Sequence, residues 1–309
     1  MEKQLKNVYQ PTGRIFKGGM SRVEETSNPE TGERYAVKWL LPAARSSYAV
    51  REGFVHQVKY LSHEHPYTVR GKGYVVNEEG DEGLVMNFLD GPTIHQVINN
   101  GGLSVYGCAD ITAKVAVALQ RLHNNGFVYR DMKPDNIKID QEENPTLFDF
   151  DLMAFEGTEE NNCAFGTPSY MAPEKLAAID GGPQIHRVDK RSDIYSLGAT
   201  MYAMITGQRP FTGKTPQDVF HNILHEPLCP PSALREGVPE DVDVVVGKMM
   251  ERDISKRYQT MEEVIDDIAV VQKGRFMEML TGTEEERPPD CFYLDVGESG
   301  PEILRRLLR

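Results

Sequence analysis

The chain has 309 residues, of which 39% are hydrophobic and 26% charged, with 27 glycines and 19 prolines. That is long and apolar enough for one large two-lobed domain or two small ones, and it excludes a disordered chain. The formal net charge of −13 argues against a nucleic-acid partner, whose binding is driven by clustered Lys and Arg that release counterions, and an anionic membrane would repel it.

The amino-terminal stretch MEKQLKNVYQPTGRIF has neither an apolar core of signal-peptide length nor a small-residue cleavage site. No uninterrupted apolar run reaches the roughly eighteen residues that a membrane-spanning helix needs. A soluble, cytoplasmic protein is expected. The cysteines, Cys108, Cys163, Cys229 and Cys291, are scattered without CxxC spacing and read as reduced thiols. Up to residue 90 the chain runs in short stretches rich in β-branched and aromatic residues, RYAVKWLL, GKGYVV and GLVMNFL, punctuated by Gly, Asn and Pro. These predict a small antiparallel sheet. Residues 46–62 instead place Phe54, Val58 and Leu61 at helical spacing, so one helix is expected against the sheet. Beyond residue 90 the rhythm becomes helical. Ile111, Val115, Leu119 and Leu122 mark one face of a helix that stops at NNGF, a C-terminal glycine signal. Further helices are expected from Asp193 to Gly207, over 240–252 and over 260–273.

Two stretches and one lysine carry chemistry. YRDMKPDN, residues 129–136, gathers Arg130, Asp131, Lys133, Asp135 and Asn136 directly after the buried helix. Further on, the apolar strand LFDFDLM is interrupted by Asp149 and Asp151. Upstream, Lys38 sits inside the strand YAVKWL, where an ammonium is expensive unless an anion meets it. A surface turn accounts for the first stretch taken alone, because charged and amide residues collect where the backbone bends. Together they are the parts that phosphoryl transfer requires: a cation for phosphates, oxygen ligands for a divalent metal, and a carboxylate to orient the attacking hydroxyl.

On these residues the chain resembles the eukaryotic-like protein kinases, most closely the Ser/Thr kinases of bacterial type. The resemblance covers residues 8–272 and rests, in order, on FKGGMSRV, YAVK, VMNFLDGPT, YRDMKPDN, DFD, GTPSYMAPE, RSDIYSLG and RDISKRY. It implies an α+β, bilobal protein-kinase-like fold. A small antiparallel lobe with one helix would occupy 8–89, a larger and mainly helical lobe 90–272, and a carboxy-terminal extension 273–309. It also implies an ATP-dependent enzyme that phosphorylates Ser or Thr of a protein substrate, with Mg²⁺ as the metal and Mn²⁺ as its alternative.

Residue by residue, Asp131 matches the carboxylate that accepts the hydroxyl proton, and Lys133 the cation beside the migrating phosphoryl. Lys38 matches the strand lysine that holds the α and β phosphates, and Asn136 and Asp149 match the metal ligands. The resemblance assigns Gly18 to the nucleotide-covering turn, Val23 and Ala36 to its apolar ceiling, and Met86 to the gatekeeper position. Asn87 and Leu89 would offer hinge main-chain groups to adenine, and Asp90 would reach the ribose. Glu174 is expected to pair with Arg257, and Asp193 to bind amides of the catalytic loop. Tyr129 replaces the usual histidine at a position that packs and orients that loop.

Departures from the family pattern fall at three places. Phe16 and Ser21 replace the first and third glycines of the nucleotide loop. Glycine lets the backbone approach a nucleotide and take φ > 0, so Phe16 must swing outward or cover the adenine and ribose. Gln57 stands for the helix glutamate that should pair with Lys38. Its amide can hydrogen-bond an ammonium without supplying charge, which weakens the positioning of the lysine. Glu52 would restore the pair only if the helix shifted by more than a turn. Asp151 stands where the metal motif normally ends in glycine. Asp tolerates the left-handed region better than most residues, and its carboxylate is expected to draw in a cation or raise the local cost of negative charge. Phe16 and Gln57 keep a second reading in view, a pseudokinase that binds partners with little turnover.

Between Asp149 and Glu174 hydroxyls are sparse. Thr167 matches a threonine that contacts Asp131 and Lys133, which leaves Thr158 as the phosphosite to meet Arg130, with Glu156, Glu159 and Glu160 as the alternative source of negative charge. PEILRRLLR at the carboxy terminus sets Ile303, Leu304, Leu307 and Leu308 on one face of an amphipathic helix. Intramolecular docking of that tail is expected.

Overall fold

The computed structural model describes residues 9–17, 21–41, 48–77, 79–161, 167–177, 185–187 and 189–281. Gly18, Cys163, Cys291 and the carboxy-terminal segment with its expected amphipathic helix lie outside the described residues.

The β-rich first part forms one antiparallel sheet of β1 (Gln10–Lys17), β2 (Ser21–Ser27), β3 (Arg34–Leu40), β4 (Gly71–Val76) and β5 (Glu82–Asn87), in the order β1-β2-β3-β5-β4. Alternate side chains of a strand face opposite sides, and β3 shows what that achieves. Tyr35 and Val37 pack with Val85 on the outer face. Ala36 and Leu40 join the main core on the other. Lys38 has the parity of Ala36 and Leu40, so its ammonium is carried to the inner face, toward the second lobe. Helix α1 (Tyr48–Leu61) runs close to the expected span. Its buried stripe of Phe54, Gln57 and Leu61 repeats at helical spacing, and Phe54 and Leu61 join the same core as Ala36 and Leu40.

The second lobe is built on α2 (Ile94–Asn99), α3 (Val105–Asn124), α4 (Pro173–Ala177), α5 (Arg191–Thr206), α6 (Pro216–His225), α7 (Glu240–Met249) and α8 (Met261–Thr281). Ser104 caps α3 by accepting from the Gly107 N–H at 3.0 Å, an interaction worth about 1 kcal/mol. The chain leaves α3 through left-handed Gly126, φ 77°, as the NNGF signal requires. From Ser192 to Ile205 every residue of α5 is buried, because α3 lies on one side and α7 on another. The approach of α5 to α7 depends on Gly198, where an added Cβ would come within 2.7 Å of Met249 Cβ. α7 stops three residues short of the expected 252, and α8 continues past the expected 273 to Thr281.

Three short ribbons hold the loops between these elements. β6 (Phe127–Val128) pairs with β9 (Ala154–Phe155), β7 (Ile137–Ile139) with β8 (Pro145–Leu147), and β10 (Glu159–Asn161) with β11 (Ile185–Arg187). The result is the α+β, two-lobed architecture expected from the sequence. The lobes are joined by residues 88–93, which rest on β7. Gly91 has φ 84°, and a Cβ there would meet Ile139 O at 2.1 Å, so only glycine fits this crossing. Among the described residues no helix is long and apolar enough to cross a membrane, and Cys108 and Cys229 are free thiols.

Candidate active site

The catalytic-loop residues leave β6 under the control of one buried carboxylate. Asp193, in the first turn of α5, accepts the Tyr129 N–H at 2.8 Å and the Arg130 N–H at 2.7 Å. It also accepts His123 Nε2–H at 2.9 Å. This clamp holds Arg130 at φ 75°, a left-handed conformation that costs a residue with a Cβ about 1–3 kcal/mol and persists only where its surroundings impose it. The turn falls immediately before Asp131. There Oδ2 accepts from Lys133 Nζ at 2.7 Å and from Asn136 Nδ2 at 2.9 Å. Asn136 Nδ2 also donates to the Asp131 carbonyl at 2.9 Å, so its amide is oriented with nitrogen toward Asp131 and Oδ1 left for another partner.

A second set of bonds ties this loop to residues 148–151. The Tyr129 hydroxyl donates to the Phe148 carbonyl, its ring meets Phe150 edge-on at 5.1 Å, and the Phe148 N–H donates to Asn136 O at 3.1 Å. Tyr129 therefore packs and orients, as its position implies. Asp149 sits at φ 61°; Asp151, expected to tolerate the left-handed region, does not adopt it.

Lys38 Nζ lies 2.7 Å from Asp149 Oδ1 and 2.7 Å from Asp151 Oδ1. Burial alone would push this ammonium down, but the Asp151 and Asp149 carboxylates outweigh it and hold its pKa above the ordinary lysine value. Burial would likewise raise the Asp149 carboxyl, yet Lys38, with Lys133 farther off, keeps it below the usual carboxylate range. Gln57, expected to hydrogen-bond the lysine, meets instead a carboxylate that Lys38 also meets. Gln57 Nε2 donates to Asp151 Oδ1 at 3.4 Å, while Asp151 supplies the charge, and Glu52 is exposed.

The described residues expected at the nucleotide lie on β2, β3, β5 and the connection after β5. Val23 is half-buried on β2, and Ala36 on β3 lies opposite Met86 on β5. The Asn87 N–H donates to Arg70 O at 3.0 Å. The Leu89 carbonyl accepts from Lys138 Nζ at 2.8 Å. Asp90, expected to reach a ribose, is ion-paired with Arg34. Phe16 is 55% exposed. The donors also suit a hard divalent cation, since Asp149 offers a carboxylate and Asn136 an amide oxygen. Among the described residues no group of three or more His, Cys, Asp or Glu stands ready to hold a metal.

Residues 9–267 match the protein kinase domain family. The chain belongs to that family. This kinase is similar to a probable serine/threonine-protein kinase of Clostridium perfringens, 29% identical over 275 residues that cover 88% of the chain and 39% of the relative. It is similar to the serine/threonine-protein kinase PknB of Mycobacterium tuberculosis, 34% identical over 197 residues, covering 62% of the chain and 30% of the relative. A probable serine/threonine-protein kinase PknB of Bifidobacterium longum is 30% identical over 285 residues, 86% and 40% of the respective lengths. The chain thus spans two fifths or less of the length of these curated relatives.

In the kinase, Glu174 and Arg257 form the expected pair, with Nη1–Oε1 and Nη2–Oε2 both at 2.9 Å. Burial would raise the Glu174 carboxyl, but the Arg257 guanidinium, with Ser192, brings it below the ordinary glutamate value. Thr167 lines a small recess together with Arg130, Asp131, Tyr170 and Lys175. Thr158 is exposed. Arg130 Nη1 donates to Leu152 O at 3.0 Å, and Glu156 lies 4.0 Å from Lys190; the side chains of Glu159 and Glu160 are outside the described set.

Sequence reasoning missed His123, Lys138 and the contact of Ser21 with Asp151, and it left open which cation Asp151 would draw in. Two left a signal. In NIKID, alternation puts Lys138 on the opposite face from buried Ile137 and Ile139. A buried lysine without its helix glutamate needs an anion from elsewhere, and Asp149 and Asp151 both meet it.

Proposed function

We propose that the chain is an ATP-dependent protein Ser/Thr kinase that moves the γ-phosphoryl of ATP to a hydroxyl of a protein substrate, with Mg²⁺ as its metal and Mn²⁺ as an alternative. The observation that carries this reading is the fixed orientation of Asp131, whose Oδ2 is held by both Lys133 and Asn136, beside Lys38 paired with Asp149.

Asp131 Oδ1 is the oxygen left to accept the substrate hydroxyl, which it aligns and from which it takes the proton. As the hydroxyl oxygen bonds to the γ-phosphorus, the bond from that phosphorus to its bridging oxygen breaks, and ADP leaves with the electron pair. Lys133, already 2.7 Å from Asp131, offsets charge on the migrating group. Lys38 meets the α and β phosphates of the nucleotide. Asn136 and Asp149 would hold the metal, which supplies Lewis-acid neutralisation of the phosphate oxygens. A net charge of −13 supports a protein acceptor over a nucleic acid, and scattered cysteines support a cytoplasmic setting.

The scaffold reading drew on Phe16 and Gln57. Lys38 meets two carboxylates, Asp149 and Asp151, and Lys38, Asp131, Asn136 and Asp149 are all present, which supports the enzyme over the scaffold.

The test is transfer of radiolabelled γ-phosphate to a generic protein substrate. Asp131→Asn is expected to lose at least about a hundredfold in kcat, in line with the loss of a positioned general base. Wild-type protein that binds ADP but transfers no label, or label that persists undiminished in Asp131→Asn, overturns the reading.

A further inference from the structure

Asp151 collects donors from three separate elements. Its Oδ1 lies 2.7 Å from Lys38 Nζ on β3 and 3.4 Å from Gln57 Nε2 on α1. Its Oδ2 accepts from Ser21 Oγ on β2 at 3.2 Å. All three donors are buried, with Ser21 4%, Lys38 4% and Gln57 3% exposed. A carboxylate tied to three buried donors is a built contact, in contrast to a surface pair that solvent screens.

Charge accounting shows why the contact matters. Lys38 is buried, and a buried ammonium needs an anion. Asp149 supplies one in this structure, but Asp149 is also the carboxylate expected to face a divalent cation, which competes for it. Gln57 brings a hydrogen-bond donor and no charge, so α1 contributes no anion to Lys38. Asp151 is then the carboxylate that remains with the lysine when Asp149 turns to metal.

We infer that Asp151 is the positioning residue for Lys38 in this kinase, taking from the 149–151 loop the part that a helix carboxylate would otherwise play. Gln57 and Ser21 hold Asp151 in place, so α1 and the end of the nucleotide-covering loop act on the lysine through it. Alignment of Lys38 then follows the state of the 149–151 loop, and a displacement of α1 reaches the lysine only indirectly. The inference rests on the kinase reading for its consequence in turnover, and on nucleotide binding alone for its geometry.

The test uses the full chain with Asp151→Gly, Asp151→Asn, Gln57→Glu and the double variant Asp151→Gly/Gln57→Glu. Each is checked for folding by its thermal unfolding transition. ADP affinity is measured with and without Mg²⁺, Lys38 reactivity as its labelling rate by an adenosine carrying a fluorosulfonylbenzoyl group, and KM for ATP separately from kcat. Asp151→Gly is expected to weaken ADP binding and raise KM for ATP by about tenfold, the effect of losing one charge-assisted hydrogen bond on a positioned group. Asp151→Asn, which keeps shape and loses charge, falls between it and wild type. The double variant, with its carboxylate returned to α1, regains most of the loss in affinity, KM and labelling.

An Asp151→Gly protein that folds and binds ADP as tightly as wild type, or turns over faster, overturns the inference and makes Asp151 a latch of the nucleotide-free state. A double variant no better than Asp151→Gly alone also overturns it, as does a wild-type protein that neither binds ADP nor is labelled. Absence of phosphoryl transfer with binding and labelling as expected defeats the kinase reading and leaves this inference standing.

Discussion

Replacing Asp193 by asparagine tests how the catalytic loop is held, because the substitution keeps the shape of the side chain and removes only charge and one acceptor. Asp193 is fully buried and accepts two main-chain N–H groups together with His123. An asparagine oxygen can serve one of the two main-chain donors, but its amino group then faces the other. The variant loses one charge-assisted hydrogen bond and strands one buried N–H, a combined cost of about 3 kcal/mol. That is a large part of the 5–15 kcal/mol by which a domain is usually stable. The same clamp imposes the left-handed Arg130, so its loss lets residue 130 relax and displaces Asp131 next to it. A shift of about 1 Å at a reacting group lowers turnover by roughly a hundredfold. ADP affinity should hold, because Lys38, Ala36 and Met86 sit on the other lobe. Urea titration should show a lower midpoint with an unchanged slope, and steady-state kinetics a fall in kcat with little change in KM for ATP. An unchanged midpoint refutes the argument, as does a destabilised variant that keeps its kcat within about threefold.

Three further outcomes follow from the structure. Arg257→Met strands the buried Glu174 carboxylate and should cost about 3–5 kcal/mol, whereas Glu174→Met/Arg257→Met removes both charges and should cost less; thermal unfolding of the two variants decides the order. Gly91→Ala forces a Cβ to within 2.1 Å of Ile139 O at φ 84°, so it should destabilise by about 1–3 kcal/mol and weaken ADP binding, read by urea midpoints and titration. His65 accepts the Tyr67 N–H on Nδ1 at 3.2 Å, and burial, reinforced by Arg121, lowers its pKa from 6.5 to about 4. It is neutral in both folded and unfolded chains at pH 7. Below pH 6.5 the unfolded chain takes up a proton that the folded chain refuses, so stability falls between pH 6.5 and about 4 and levels off beneath. Some solvent access limits that contribution to about 1–2 kcal/mol, and His65→Gln should remove it from the difference between stability curves measured across this range.

What the sequence made legible was whatever periodicity or short-range order encodes. The stripe of Phe54 and Leu61, the helical face from Ile111 to Leu122 and the glycine stop at Gly126 all depend on neighbours a few residues away. The order of short motifs also carried the family resemblance. The partner of Lys38 was harder to read, because three-dimensional proximity joins residues 21, 38, 57 and 151 across the chain. Glutamine at 57 and aspartate at 151 look like two separate defects when taken in order; in space they are one carboxylate moved from a helix to a loop. His123 was hidden for a related reason, since its register on α3 marks it as core while its contact with Asp193 lies seventy residues on. Asp90 adds a contact that motif position does not mention, its exposed ion pair with Arg34.

The ribbon of β10 and β11 joins a stretch just after the 149–151 loop to the one that precedes α5. Strands of three residues in a pair of two have little stability by themselves, so each half persists only while the other is there to hold it. A macromolecule that bound residues 185–187 only in their paired form would be expected to order residues 159–161 as well, and by thermodynamic reciprocity ordering 159–161 would strengthen that binding. The pair is a short tether between the segment that follows the 149–151 loop and the one that precedes α5.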